Sequence, residues 1–76
     1  MQKYFFHTVA NGVATHDEDG TALPDEAAAW HEASSAFGEM IKEVDGEMQI
    51  GSEWTMQVES ESGPVFVITL TSSRVG

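Results

Sequence analysis

The sequence predicts one small α+β domain in which four strands and one helix follow each other in the order ββαββ. Its length of 76 residues suits one domain. The middle of the chain has the apolar spacing of an amphipathic helix, and segments rich in aromatic and β-branched residues lie before and after it. We expect the domain to span residues 1–76. A domain of this size buries only about 60 to 65 % of its unfolded surface, which leaves little room for an internal active site.

The first hairpin is predicted by residues 3–10 and the dipeptide that follows them. These residues, KYFFHTVA, are mostly aromatic or β-branched, and Asn11 with Gly12 tolerates the two positive φ angles of a type I′ turn. A short return strand over residues 13–16 is expected next. The following segment, DEDGTALP, has the composition of a loop, and its first part, DEDG, is predicted to be a solvated connector to the helix.

The helix is predicted to run over residues 25–44. Asp25 has the side chain of a helix N-cap, and Gly46 can adopt the left-handed conformation that ends a helix. At about 100° per residue, six apolar side chains fall within about a third of the circumference. This predicted buried stripe consists of Trp30, Ala33, Phe37, Met40, Ile41 and Val44. Charged residues such as Glu39 lie opposite, so one face of the helix is expected to pack on a sheet.

The second hairpin is predicted by a change of pattern after the helix. The segment EWTMQVE alternates Trp54, Met56 and Val58 with polar residues, which is typical of a strand with one face in water. The segment ESGP then breaks the chain before VFVITLT. That last segment is almost continuously apolar from Val65 to Leu70, which favours a central strand covered on both faces.

The strand order is predicted from the same patterns. If the helix crosses one face of the sheet, the first and fourth strands run parallel, and as the two most apolar strands they are expected side by side. This gives a four-stranded sheet of spatial order 2-1-4-3, which resembles a minimal β-grasp arrangement. The alternative is an all-antiparallel sheet with the fourth strand at an edge.

The charge of the chain bears on its partners. Thirteen acidic residues against three basic ones give a net charge of −10, which repels the phosphates of nucleic acids and anionic lipids. No apolar run approaches the roughly 18 residues of a membrane span, and the N-terminus lacks the pattern of a signal peptide. Since the chain has no cysteine, a cytoplasmic location is expected, with neither nucleic acid nor membrane as a partner.

The acidic loop over residues 15–26 is the strongest candidate for a metal site. Thr15, Asp17, Asp19 and Glu26 fall at positions 1, 3, 5 and 12 of an EF-hand register. The match is incomplete, because position 1 is not a carboxylate and a strand precedes the loop. The loop is therefore expected to cap turns and the helix start rather than to bind calcium.

Catalytic groups are not found in the sequence. Nucleophilic catalysis needs a side chain held by a base, and the serines lie on the predicted exposed helix face or in turns without a histidine nearby in sequence. No glycine-rich phosphate loop occurs. The histidines also lack the spacing of a preformed metal site; they are His7, His16 and His31. We expect no catalytic residue, no cofactor and no metal ligand, and hence no enzyme.

Four segments in this order resemble a known family: YFFH, DEDGTALPD, EAAAW and EWTMQVESESGPVFVITL. Over nearly its whole length the chain resembles a small bacterial domain family of unknown function (family 6894), which is common in alphaproteobacteria and whose members typically begin with a Tyr-Phe-Phe-His block. The matching positions are Asp17, Gly20, Leu23, Pro24, Asp25, Trp54, Val58 and Gly63. The glycine in the mid-helix segment SSAFGEM departs from the family pattern. The resemblance implies a fold and a taxonomic setting, and it implies no catalytic residue.

The function expected from the sequence is a non-catalytic one. One helix covers only one face of a sheet, and apolar side chains are left over for the other face. The expected interface consists of Phe5, Val9, Val65 and Val67. We expect a protein-interaction or self-associating domain, either a homodimer or a complex with another protein. The alternative is a small-ligand or divalent-metal-binding domain that uses the acidic loop 15–26.

Overall fold

The structure is a computed structural model that describes residues 1–44 and 46–76. Within these residues one helix packs on one face of a five-stranded sheet, so the predicted α+β class is confirmed. The elements are β1 (Gln2–Ala10), β2 (Val13–Thr15), β3 (Thr21–Leu23), α1 (Glu26–Lys42), β4 (Glu53–Ser60) and β5 (Gly63–Thr71). The strand pairs they form are antiparallel.

The strand order differs from the predicted one. The sheet has the order β2-β1-β4-β5, so β4 lies beside β1 and β5 lies at an edge. The predicted four-stranded sheet with the first and last strands paired at its centre is wrong, and the all-antiparallel alternative is correct. The physical reason is that β4 contributes three buried side chains to the core, whereas those of β5 are at most half-buried. The buried side chains of β4 are Trp54, Met56 and Val58.

A short strand that the sequence analysis missed, β3, occupies part of the connector before the helix. It pairs with the start of β1, from Gln2 opposite Leu23 to Tyr4 opposite Thr21. β2 pairs with the end of β1 along the same edge, because β4 takes the other edge. The loop predicted from DEDGTALP is therefore wrong for residues 21–23, since β1 is long enough to hold two short strands.

Local turn chemistry forms the β1–β2 hairpin as predicted. Asn11 and Gly12 have φ angles of 52° and 80°, the positive values that a type I′ turn requires. The turn places Ala10 opposite Val13. β2 ends at Thr15, before the end predicted for the return strand.

The helix α1 begins as predicted, and the predicted stripe is confirmed except at Trp30. Its other members are buried or pack against the core: Ala33, Phe37, Met40, Ile41 and Val44. The Oδ1 atom of Asp25 accepts a hydrogen bond of 2.8 Å from the backbone N–H of Ala28, so Asp25 is the N-cap. The buried side chains of α1 are Ala29, Ala33 and Phe37. Trp30, which was predicted in the buried stripe, is 51 % exposed, because the small alanines allow close packing and the large ring is left at the side. The helix ends at Lys42, earlier than predicted, with Glu43 as C-cap.

The apolar run of β5 comes from a β-bulge. In the β4–β5 pairing Glu59 lies opposite Pro64, and Val58 lies opposite Phe66, so Val65 is an extra residue. The bulge allows Val65 and Phe66, which are adjacent in sequence, both to pack against the core. The consecutive apolar residues therefore mark a bulge on an edge strand rather than burial on two faces.

The pairing registers divide the sheet into two faces. The face toward α1 carries the buried part of the core: Tyr4, Trp54, Met56 and Val58, with Ala29, Ala33 and Phe37 from the helix. The opposite face, called the outer face below, has His7 opposite Gln57 and Gln57 opposite Val67. Phe5 and Val9 lie on it too, because residues two apart in a strand point the same way. Apolar and imidazole side chains on β1 are thus separated from β5 by polar side chains on β4.

Candidate functional site

The four predicted interface residues lie in two different places. Phe5, Val9 and Val67 are on the outer face, where Val9 is 41 % and Val67 is 58 % exposed. Val65 packs against the core instead, because of the bulge. Polar side chains of β4, such as Gln57, lie between β1 and β5. These four residues therefore do not form one continuous apolar patch.

His7 is the centre of a polar cluster on the outer face. Its Nε2 lies 2.6 Å from Oε1 of Glu59 on β4. Its Nδ1 accepts a hydrogen bond of 3.1 Å from the backbone N–H of Asp17. An imidazole nitrogen that accepts a hydrogen bond carries no proton, so the proton of the neutral ring is on Nε2 and is donated to Glu59. Both ring nitrogens are therefore engaged.

Asp17 bridges the gap between β2 and β3 along the edge of β1. Its Oδ2 accepts from the backbone N–H of Phe6 at 3.1 Å, and its Oδ1 accepts from those of Asp19 and Gly20 at 3.2 and 3.1 Å. The hydrogen bond from Gly20 is the largest cause that lowers the pKa of Asp17, while burial opposes the shift. The other two backbone hydrogen bonds lower the pKa further. The acidic loop thus completes the edge of the sheet, which the sequence analysis did not predict.

Stacked rings lie beside these carboxylates. The ring centroids of His7 and His16 are 4.2 Å apart with planes within 9°, and those of Phe5 and His7 are 6.5 Å apart with planes within 4°. Gly20 makes room for Phe5: its φ is 72°, and a Cβ there would lie 2.8 Å from the phenyl ring. The rings and carboxylates line an open concavity formed by Phe5, His7, His16, Asp17, Glu18 and Glu59.

This cluster has limited chemical capability in the observed arrangement. A general base needs a free lone pair, but Nδ1 of His7 already accepts a hydrogen bond and Nε2 carries the proton. The same two bonds leave no nitrogen of this tautomer for a metal ion. Thr15, the first position of the EF-hand register, belongs to β2, and His31 is exposed on α1. Across residues 1–44 and 46–76, no group of three or more histidine, cysteine, aspartate or glutamate residues is placed to hold a metal ion.

The second candidate site is the free edge of β5. Ser72, which follows the strand, directs its N–H to Ser52 and its C=O to Gly51, on the side of β4. Backbone groups alternate in direction along a strand, so every second residue of β5 points its N–H and C=O away from β4. These outward groups belong to Val67, Thr69 and Thr71. In the part of the chain that the structure describes, no hydrogen bond reaches them.

The backbone directions on the β1 side of the sheet agree with this alternation. In β4, the register places Gln57 opposite Val67 on one side and opposite His7 on the other. If the backbone N–H and C=O of Val67 point away from β4, then those of Gln57 and His7 point toward each other. The backbone groups of Phe6, the neighbour of His7 in β1, then point away from β4. The N–H of Phe6 does point away from β4, to Asp17. The direction assigned to the β5 backbone is therefore consistent with an independent hydrogen bond.

An apolar margin runs along this edge on the side of the helix. It consists of Trp30, Phe66, Ile68 and Leu70. The ring of Trp30 meets that of Phe66 edge-on, with centroids 5.1 Å apart and planes at 74°. The three β5 side chains are half-buried and pack against the core. β5 itself has no charged residue, although 21 % of the chain is charged. The edge thus combines unpaired backbone groups with an uncharged, partly exposed apolar border.

The helix and nearly the whole sheet fall within a region that matches a known protein family. A family model described as "Domain of unknown function (DUF6894)" matches residues 3–71. The chain belongs to the DUF6894 family. The family resemblance is therefore confirmed, whereas the alphaproteobacterial origin and the cytoplasmic location stay predictions. Neither the curated proteins nor the solved structures contain a match to the chain.

The DUF6894 match runs from β1 to the last residue of β5, so it includes both the His7 cluster and the free edge. The exposed backbone of Thr69 and Thr71 does not follow from the sequence pattern, because that pattern favours a central position for their strand. The signal was the uncharged segment GPVFVITLT, whose Gly-Pro start is compatible with an edge strand. In the described residues of this DUF6894 domain, no helix has the length and apolar character needed to cross a membrane.

Proposed function

We propose that this DUF6894 domain is a non-catalytic protein-interaction module that binds another polypeptide as an added strand on β5. The observation that carries the proposal is the free edge of β5, a nine-residue strand without charge beside the apolar margin. Such an edge presents a row of unpaired N–H and C=O groups, to which an extended segment binds by main-chain hydrogen bonds.

The two edges of the sheet differ in how well they are protected. β2 and β3 have only three residues each, and Asp17 satisfies the N–H of Phe6 in the gap between them. Short edge strands and satisfied backbone groups both discourage the addition of a strand. β5 has comparable protection only near its start, where Pro64 lacks an N–H and the bulge lies. The segment from Phe66 to Thr71 is left open to a partner.

The His7 cluster supports catalysis or ligand binding less well than the edge supports interaction. The ring nitrogens of His7 are already hydrogen-bonded within the domain. In loop 15–26, the Asp17 carboxylate already accepts hydrogen bonds from three backbone N–H groups, so little of its acceptor capacity is left for a small ligand or divalent metal. No observation therefore supports ligand or metal binding as strongly as the free edge of β5 supports interaction with a polypeptide.

The proposal is tested by selection of peptides on the domain. The full chain is immobilised at low density, so that two copies do not meet, and is offered random nonapeptides displayed on phage. Selected peptides are then measured against the unchanged chain, Thr69→Pro and Gln57→Lys. Thr69→Pro removes one outward N–H while leaving the bonds to β4, and Gln57→Lys places a charge on the neighbouring strand of the same sheet.

We expect peptides that bind the unchanged chain and Gln57→Lys but not Thr69→Pro. Thermal melting of the three proteins shows whether Thr69→Pro remains folded, and Val67→Lys replaces it if it does not. Peptides that bind all variants equally would locate binding elsewhere and contradict strand addition at β5. A selection that yields no peptide, from a chain that is also monomeric in solution, would contradict an interaction module altogether.

A further inference from the structure

We infer that the polypeptide added to β5 is β5 of a second copy of this chain, antiparallel to the first, with a twofold axis passing beside Ile68. The inference rests on the proposed function and names the partner of the same edge. It is carried by three features: the direction of the backbone groups on β5, the sequence of its apolar margin, and the single open edge that each chain offers.

The backbone directions select the register of the pairing. In an antiparallel pair, residues that exchange hydrogen bonds must both point their N–H and C=O toward the partner. On β5 these are Val67, Thr69 and Thr71. A twofold axis beside Ile68 places Val67 opposite Thr69 of the second copy and Thr69 opposite Val67 of the second copy. Each of these pairs can exchange both N–H···O bonds, so two outward residues of each chain are satisfied by one symmetric contact.

The side chains are self-complementary in this register. On the helix side, Ile68 meets Ile68 of the second copy, and Phe66 meets Leu70. These β5 side chains are only half-buried in one chain, and Trp30 beside them is 51 % exposed. On the outer face, Val67, which is 58 % exposed, meets Thr69. Pairing therefore removes apolar surface from water on both faces and places no charge against the partner.

Closure of the assembly also favours a second copy. Each chain offers one open edge, because β2, β3 and Asp17 protect the other edge. A twofold contact between two identical edges is isologous, and it uses both open edges at once. The assembly therefore ends at two chains. An unrelated strand would satisfy the backbone equally well, but it would match the order Phe66, Ile68, Leu70 only by chance.

Charge distinguishes a second copy from a basic partner. Each chain carries a net charge of −10, so two copies repel at long range, although no charge lies on the contact strand. Salt screens this repulsion and should strengthen the association of two copies. A basic partner would be attracted by the same charge and would bind more weakly in salt. The direction of the salt effect thus separates the two occupants.

The first experiment is sedimentation equilibrium of the full chain at about 10 to 300 μM, a range suited to interfaces of modest area. We expect a monomer–dimer equilibrium whose mass rises from 8.2 kDa toward twice that value. Raising the salt from about 0.05 to 0.5 M should strengthen association severalfold. Thr69→Pro should weaken it roughly tenfold, because hydrogen bonds at the contact are lost. Val67→Lys should weaken it too, whereas Gln57→Lys on the neighbouring strand should leave it unchanged.

The second experiment tests the register. Since the chain has no cysteine, Ile68→Cys introduces a single thiol. In the proposed register, Ile68 and its copy form a pair without hydrogen bonds between them, where the Cα atoms lie about 4.5 Å apart and a disulfide fits. Oxidation should therefore give a covalent dimer for Ile68→Cys and none for Gln57→Cys at the same concentration.

The possible outcomes distinguish an error in the proposed partner from an error in the proposed binding site. A monomer at every concentration, whose β5 still selects peptides that Thr69→Pro does not bind, would overturn the second copy and leave the proposed function intact. A monomer that selects no peptide would overturn both. A dimer that persists in Thr69→Pro and Val67→Lys but is lost in Val9→Lys would place the contact on the outer face and overturn the pairing of β5.

Discussion

Nε2 of His7 donates its proton to Oε1 of Glu59 across 2.6 Å, and this contact joins β1 to β4 on the outer face. The two side chains are 16 % and 35 % exposed, so water reaches the bond only in part. The backbone N–H of Asp17 selects the tautomer by donating to Nδ1. One imidazole thus connects two strands and the loop that precedes β3.

The tautomer of His7 can be measured directly. Long-range ¹H–¹⁵N spectra should show the proton of the neutral His7 ring on Nε2 and none on Nδ1, because Nδ1 accepts a hydrogen bond from the backbone N–H of Asp17. The exposed ring of His31 is the internal control, and it should show a mixture of both tautomers, whereas His7 should show one. A proton on Nδ1 of His7 would contradict the hydrogen bonds described. Glu59→Ala should cost about 1 to 2 kcal/mol of unfolding free energy, and Glu59→Gln less, since its amide oxygen still accepts.

Acid sensitivity should depend on Asp17. Its pKa is lowered in the folded chain, chiefly by the hydrogen bond from Gly20. Between the lowered pKa and the ordinary value of about 3.9, the folded chain therefore binds fewer protons than the unfolded chain, and stability rises with pH. This stabilisation is complete above the ordinary value and is lost as the pH falls through the lowered one.

Urea unfolding from about pH 2.5 to 6 measures this effect. The advantage of the unchanged chain over Asp17→Asn should be constant above about pH 5 and should shrink below about pH 4. Asp19→Asn is the matched control, because the Asp19 carboxylate accepts none of the hydrogen bonds that Asp17 accepts. If Asp17→Asn and Asp19→Asn lost stability in parallel with pH, the network around Asp17 would not be the cause.

The corrected helix stripe predicts unequal costs for two large side chains. Phe37 is 6 % exposed, so Phe37→Ala should cost about 3 to 5 kcal/mol, enough to abolish folding of so small a domain. Trp30 is 51 % exposed, and Trp30→Ala should cost about 1 kcal/mol. Glu39→Ala on the exposed side should cost less still. Circular-dichroism melting ranks the three variants, and equal losses for Phe37→Ala and Trp30→Ala would contradict the exposed position of Trp30.

Local chemistry explains which features could be predicted from the sequence. The turn at Asn11 and Gly12 and the N-cap at Asp25 depend on residues within a few positions of each other, and both form as predicted. Thr21–Leu23 could not be recognised in the same way, since a three-residue strand becomes one only through pairing with distant β1. The strand propensity of the connector residues does not indicate that they pair with β1.

The candidate site depended on strand order, which local patterns do not contain. The run from Val65 to Leu70 indicated burial on two faces, but a bulge explains its first two members and an edge position exposes Val67. The role of Asp17 was hidden for a similar reason, because the N–H of Phe6 that it satisfies is distant in sequence. The absence of charge in β5 was visible in the sequence. It indicates an interaction edge only once β5 is known to lie at the edge of the sheet.

Two glycines with the same backbone conformation should respond differently to substitution. Gly12 and Gly20 have φ angles of 80° and 72°, so an alanine at either position pays the cost of a left-handed conformation, about 1 to 2 kcal/mol. A Cβ at position 12 meets nothing within 4 Å, whereas one at position 20 would lie 2.8 Å from Cε1 of Phe5 and 3.2 Å from the carbonyl oxygen of Tyr4. The clash is an additional cost at position 20 only. Gly20→Ala should therefore destabilise the chain by about 1 to 3 kcal/mol more than Gly12→Ala in urea unfolding.

The extra cost can be assigned to the phenyl ring by a double-mutant cycle. Phe5→Leu removes the ring, so it should recover part of the loss in Gly20→Ala and none of the loss in Gly12→Ala. Recovery should be incomplete, because the carbonyl oxygen of Tyr4 stays within 3.2 Å of the new Cβ. If Gly12→Ala and Gly20→Ala cost the same, the backbone conformation alone would account for both. The stacked rings of Phe5, His7 and His16 would then not depend on a glycine at position 20.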